Sequence, residues 1–164
     1  MGGVESSFHF DAYKIDRIVF STLPELNFLT VTGTLDPNGW KFNVGFREPY
    51  YFKGAKKYVG GIDVKLTYPI PPVQADESAG TPEEKNLVTL EIGIAGAFSV
   101  EEGKFEKSTE ENLVKVQIPM ILFPYVRAAI TSIFAHSGLG SVYFPLINVQ
   151  ELAKSAALII REIE

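Results

Sequence analysis

Two stretches of the chain alternate apolar and polar residues with a period of two. In WKFNVGFR, Trp40, Phe42, Val44 and Phe46 fall on one side and Lys41, Asn43, Gly45 and Arg47 on the other. GIDVKLTY repeats the pattern, with Ile62, Val64, Leu66 and Tyr68 against Asp63, Lys65 and Thr67. Such alternation predicts strands with one buried face. The longest strand is expected in NLVTLEIGIAGAFSVEE, where Leu90, Ile92, Ile94, Phe98 and Val100 share a face. Its other face carries Glu91, Gly93, Ala95, Ala97 and Ser99, a shallow surface that is solvated or closely covered. YKIDRIVFST, Tyr13 to Thr22, is a further strand with a weaker pattern. PNG at Pro37 to Gly39 predicts a turn in which proline fixes φ and Asn-Gly accepts positive φ.

The period changes in the last third. From Phe123, apolar residues recur at Val126, Ile130, Ile133 and Phe134, with Pro124 suited to a first helical turn and Gly138 to a C-terminal stop. Asn148 and Glu151 have capping-box spacing ahead of a stripe of Val149, Leu152, Ala153, Ala156, Ile160 and Ile163. Helices are therefore expected at about 121–138 and 149–163. Ser108 to Val116 is ambiguous: it opens like a capped turn, while Val114, Val116 and Ile118 alternate like a strand. Pro69 to Asn86, rich in proline, alanine and acid, has no period and predicts a long loop over 69–86. Strands followed by helices imply an α+β domain, strand-rich over 8–118, with an antiparallel sheet and helices on one face.

The 164 residues suit one domain, 1–164, with a real core. A net charge of −5 argues against a nucleic-acid partner held through phosphates. The absence of cysteine excludes disulfides, thiol catalysis and cysteine-ligated zinc, and fits a reducing compartment. The opening MGGVESSFHF lacks the basic start and apolar run of a signal peptide. Ile118 to Gly140 is the most apolar part of the chain, but two prolines and Arg127 interrupt it, so membrane insertion is not expected. The expectation is a cytoplasmic protein.

Catalytic chemistry has little to stand on. His9 and His136 lie on different elements, and no paired-histidine metal motif, phosphate loop or nucleophile elbow is present. GLGS at 138–141 follows a helix, the wrong side for a phosphate. The adjacent pairs Glu101, Glu102 and Glu110, Glu111 fit a solvated face. No enzyme, metal or cofactor is expected. The conspicuous feature is an aromatic surplus of 12 Phe, 7 Tyr and 1 Trp. A one-layer sheet with two helices has one core, so aromatics beyond it belong to a partner or a binding groove. Candidate contacts are Tyr50, Tyr51 and Phe52, in an unpatterned cluster followed by Lys53, Lys56 and Lys57, and Tyr143 and Phe144, ahead of the last helix.

ILFPYVRAAITSI resembles the signature that opens the first long helix of the SecB family of protein-export chaperones. EIGIAGAFSV, FPLINVQEL and YKIDRIVFST resemble further family segments; the match is strong over 91–152 and weak over 26–86. The resemblance implies a four-stranded antiparallel sheet with two helices packed on one face. It also implies a homotetramer, a dimer of dimers in which first strands pair and first helices pack together. Ile18, Phe123, Arg127, Ile130 and Phe134 would lie at those interfaces. Family members hold unfolded polypeptides in apolar grooves without ATP and pass them to the translocase motor SecA. Of the three acidic positions implied for docking SecA, two correspond here to Arg17 and Ser21, and Glu91 alone is retained. Related proteins guard a single antitoxin. The sequence thus leaves a general holdase, a module for one dedicated client and a binder of a small apolar ligand as competing expectations.

Overall fold

The computed structural model describes residues 6–24, 35–70, 85–139 and 147–164. Strands β1 (Phe8–Thr22), β2 (Lys41–Phe52), β3 (Lys57–Pro69) and β4 (Asn86–Val100) precede helices α1 (Lys107–Ser137) and α2 (Val149–Ser155) and a short strand β5 (Arg161–Ile163). The sheet order is β1-β4-β3-β2-β5. The first four strands pair antiparallel, as the alternation implies, and β5 pairs parallel to β2. The sheet is therefore five-stranded and mixed rather than four-stranded and antiparallel.

The expected inner face of β4 is the one that is buried: Leu90, Ile92, Ile94 and Phe98 are within 1% of full burial, opposite Ile62, Val64 and Leu66 of β3. Over them lies α1, whose buried residues Val114, Ile118, Leu122, Val126, Ile130 and Phe134 recur every four residues. The helix comes close because Gly60 and Gly96 are register partners beneath it. A Cβ on Gly60 would stand 2.8 Å from Ile118 Cγ2, and one on Gly96 2.8 Å from Leu122 Cδ2. Glycine at both positions makes the notch into which these side chains drop.

The structure corrects three local expectations. Ser108 to Val116 is helical, so α1 starts at Lys107 and both Pro119 and Pro124 sit in its interior. Each proline removes one backbone donor there, and Pro119 is itself buried. By length and mean hydropathy of 1.6, α1 passes for a membrane span, but its buried stripe is satisfied by the sheet. The expected helix at 149–163 stops at Ser155; Ala157 adopts φ 49°, and the chain turns toward the edge of β2. Backbone pairing offered by that edge outweighs the helical pattern of the last residues. Pro37–Gly39 does turn, as a 3-10 turn capped by Asp36, without positive φ at Asn38 or Gly39. The expected caps at Asn148, whose side chain accepts from the Glu151 N–H, and Gly138, at φ 79°, are both formed.

The glycine notch generates a test. Gly96→Val overfills it and should lower unfolding free energy by about 1–3 kcal/mol. Leu122→Ala alone should cost about 2–5 kcal/mol. Combined, the loss should be smaller than the sum, because the valine occupies the vacated space. Strictly additive losses in a denaturant-unfolding cycle would place Leu122 away from Gly96.

Candidate functional site

The covering helix packs on β3 and β4, and this leaves β1 partly bare. Register partners put Phe10, Tyr13, Ile15, Ile18 and Phe20 on the helix side of the sheet. Yet Tyr13 is 47% exposed, Ile15 38% and Ile18 53%. Toward one end the gap is bridged by rings. Phe10 stacks on Phe98 at 5.1 Å, and Tyr125 of α1 lies 4.4 Å from Tyr13 and 5.4 Å from Phe10. The result is an apolar shelf along the sheet's β1 edge, walled by Tyr125. β1 has no second neighbour among the described residues, so its outer N–H and C=O groups are open along the same shelf.

Two bulges shape that edge. They fall between Phe10 and Ala12 and between Ile15 and Arg17, and each inserts an aspartate. Asp11 accepts from Ser99 Oγ at 3.1 Å and pairs with Lys57 at 3.2 Å. Asp16 is met by Arg47, which reaches from β2 across the outer face of the sheet. The Arg47 guanidinium donates to Asp16 at 2.7 and 2.9 Å and to Asp63 of β3 at 2.7 and 2.9 Å. It lies over Gly93 of β4, where any Cβ would collide with it. One cation thus ties together side chains of β1, β2 and β3 across β4, and the small outer residue at 93 is the bed for it. Arg47's hydrogen bonds hold the Asp16 carboxyl below its usual value, and the two carboxylates raise Arg47 further.

Glu91 lies on the same outer face, beside a shallow cleft of about 420 Å³ that Arg17, Asn43 and Lys65 also line. It accepts from Arg17 at 2.7 Å and pairs with Lys65 at 3.4 Å. The Arg17 bond, with Lys65 behind it, keeps the carboxylate below its usual pKa despite some desolvation. The retained acid is therefore charged but already matched by two cations. A second, open groove of about 610 Å³ runs between α1 and α2, lined by Leu113, Val116, Ala153 and Leu158 together with Asn112 and Gln117.

The other expected site residues divide. Tyr50, Tyr51 and Phe52 are not outside the strand pattern but form the end of β2, beyond a bulge at Glu48 and Pro49. Tyr51 turns inward, its ring 4.6 Å from that of Tyr58, whose hydroxyl donates to Glu110 at 2.5 Å. Tyr50 is 39% exposed, and Phe52 is half-buried. Phe123, Ile130 and Phe134 lie in the protomer's own core at 7%, 2% and 0% exposure, where the sheet already covers them. Ile18 and Arg127 are exposed. Tyr143 and Phe144 lie outside the described residues, as do residues 71–84 of the loop expected over 69–86, whose ends Pro69 and Asn86 belong to β3 and β4. The residues the sequence did not single out are Tyr13, Ile15 and Tyr125. For Tyr13 and Ile15 the signal is an apolar side chain on the inner face of a strand that the helix does not reach, and for Tyr125 a helix residue packed on that strand; both need the sheet order to be seen.

An edge strand left open beside an aromatic shelf offers unpaired main-chain groups and apolar side chains together, the two things strand addition uses. Residues 71–157, just over half of the chain, match the family described as preprotein translocase subunit SecB; the chain belongs to the SecB family. Among solved structures it is similar to a SecB-like chaperone of Mycobacterium tuberculosis, in complex with a ChAD peptide from the HigA1 antitoxin. That match has a TM-score of 0.54 at 13% identity, over 86% of this chain and 91% of the other. No curated protein sequence matches the chain.

The outer-face clip makes a pH-dependent contribution. Asp16 has a depressed pKa in the folded state, so its share of stability is present above the usual carboxyl value of 3.8 and is lost as pH falls through the depressed value. Arg47→Met should cost on the order of 1 kcal/mol near neutral pH, since the groups are partly solvated. The gap between wild type and variant should close on acidification below the usual carboxyl value. A gap that widens there in pH-dependent melting would contradict the assigned pairing.

Proposed function

We propose that the protein is an ATP-independent chaperone of the cytoplasm that holds non-native polypeptide segments. The observation that carries this reading is the apolar side-chain area a single copy leaves uncovered: Tyr13, Ile15, Ile18 and Val19 of β1, Tyr125 and Met120 of α1, and Tyr50 of β2. Each such side chain contributes about 1.5–3 kcal/mol on full burial, so several weak contacts add up without demanding a sequence. Part of this area is taken by copies of the chain itself. A homotetramer built as a dimer of dimers pairs the β1 edges and leaves the remaining apolar surface for clients. Ile18 and Arg127 are the accessible members of the expected interface set.

The charge pattern favours a dedicated client over delivery to SecA. Where the family resemblance implies three acids, this chain has Arg17 bonded to Glu91 with Lys65 alongside, so the one acid kept is neutralised and offers a basic partner no surplus negative charge. The relative whose structure contains an antitoxin peptide supports the same reading. For a small apolar ligand the described residues offer the open groove between α1 and α2, where Asn112, Gln117 and Gln150 share the lining with apolar side chains.

Two measurements test the proposal. Purified protein should suppress aggregation of a chemically unfolded test protein without nucleotide, and native mass spectrometry should show tetramer with client bound. Ile18→Lys should break assembly toward the 18.1 kDa protomer while far-UV circular dichroism stays unchanged. A stable wild-type monomer at micromolar concentration that leaves aggregation untouched would overturn both parts.

A further inference from the structure

We propose that the β2 edge from Tyr50 to Lys53 is an acceptor site for an extended polypeptide segment of acidic–apolar–acidic pattern, and that the chain's own residues 161–164 occupy it as a stand-in. The inference rests on the polypeptide-holding reading above and names one client mode within it.

The segment is held in two different ways along its length. Leu158 is 8% exposed and Ile160 packs against the core, so the anchor is apolar and ends there. Beyond it, all three residues of β5 are exposed. They pair parallel to β2, Tyr50 with Arg161, Tyr51 with Glu162 and Phe52 with Ile163, and the Lys53 N–H donates to the Ile163 carbonyl at 2.9 Å. This is strand addition at a sheet edge, in which main-chain bonds accept any sequence.

Side chains add a charge preference. Lys53 Nζ stands 3.2 Å from Glu162 and 3.3 Å from Glu164, and Lys107 at the start of α1 stands 3.1 Å from Glu162. Two lysines from different elements thus converge on the acids that flank Ile163. On the other side, Arg161 Nε bonds Glu48 at 2.6 Å. Every one of these ion pairs is at the surface, where such pairs are weak and screened by salt. A parallel three-residue strand with no buried side chain is therefore displaceable by a longer segment that makes the same main-chain bonds. Tethering keeps the chain's own copy at high local concentration, so a client must compete with it.

The test uses a fluorescent hexapeptide of residues 159–164, IIREIE, and the full chain. In Glu162→Lys/Glu164→Lys the chain's own segment is repelled by Lys53 and Lys107, so this variant should bind the peptide about tenfold more tightly than wild type. Bound peptide should slow hydrogen exchange at the Lys53 amide. A peptide with both acids changed to lysine should bind neither protein. In wild type alone, raising salt should speed exchange at Lys53 and leave the β3 and β4 amides unchanged, which checks the site even if the double variant folds poorly. Equal peptide affinity in both proteins, or no change at Lys53, would overturn the proposal. A variant that loses assembly without gaining peptide affinity would make this edge a contact between copies and also overturn it. Peptide capture by a protein that fails to suppress aggregation would leave the edge site standing and end the holdase reading; suppression with no peptide capture would do the reverse.

Discussion

One helix covers a sheet that is wider than it is. An α-helix with its side chains is about 10–12 Å across, and strands lie about 4.8 Å apart, so α1 can shield two or three strands of the five. It lies over β3 and β4, seated in the notch at Gly60 and Gly96. Everything at the margins follows. Inner-face residues of β4 are buried, while Tyr13, Ile15 and Ile18 of β1 on the same face remain exposed. β2, on the other side, keeps Trp40, Phe42, Val44 and Phe46 only partly buried. The aromatic surplus is the compositional trace of this geometry: the margins carry rings because they have no second layer.

The parts of the fold that were legible in the sequence are those where one periodicity runs unbroken. β2 as far as Arg47, β3 and β4 alternate cleanly, and their inward residues there are the ones expected. β1 looked weak because its inward residues are Phe10, then Tyr13 and Ile15, then Ile18 and Phe20. Two bulges break the period of two into steps of three, and no fixed window shows that. The start of α1 was hidden because Val114, Val116 and Ile118 suit either structure, and its inner prolines made a later start look natural. At the other end, Ile160 and Ile163 completed a helical stripe by coincidence; one packs on the core and the other joins the sheet.

The site was legible only in part. Of the residues the sequence singled out, Tyr50 and Ile18 lie at the protomer's surface, while Phe123, Ile130 and Phe134 lie in its own core. A motif that matches a family helix cannot say which side of that helix each residue takes. Arg47 was visible only as a polar position in an alternating strand. Its partners Asp16 and Asp63 are 31 and 16 residues away in the chain, and only the sheet order brings them together over Gly93.

The aspartate bulges of β1 have a consequence for how this molecule survives its own surface. A fifteen-residue edge strand with apolar side chains is the usual seed of fibrils, which stack flat segments of six or seven apolar residues. Here the ladder is cut into Phe8–Phe10, Ala12–Ile15 and Arg17–Thr22. The only run of six opens with arginine and closes with serine and threonine. Each cut twists the strand and plants a carboxylate beside it. A neighbour with matching bends can still pair, while the bends and carboxylates work against an endless flat stack.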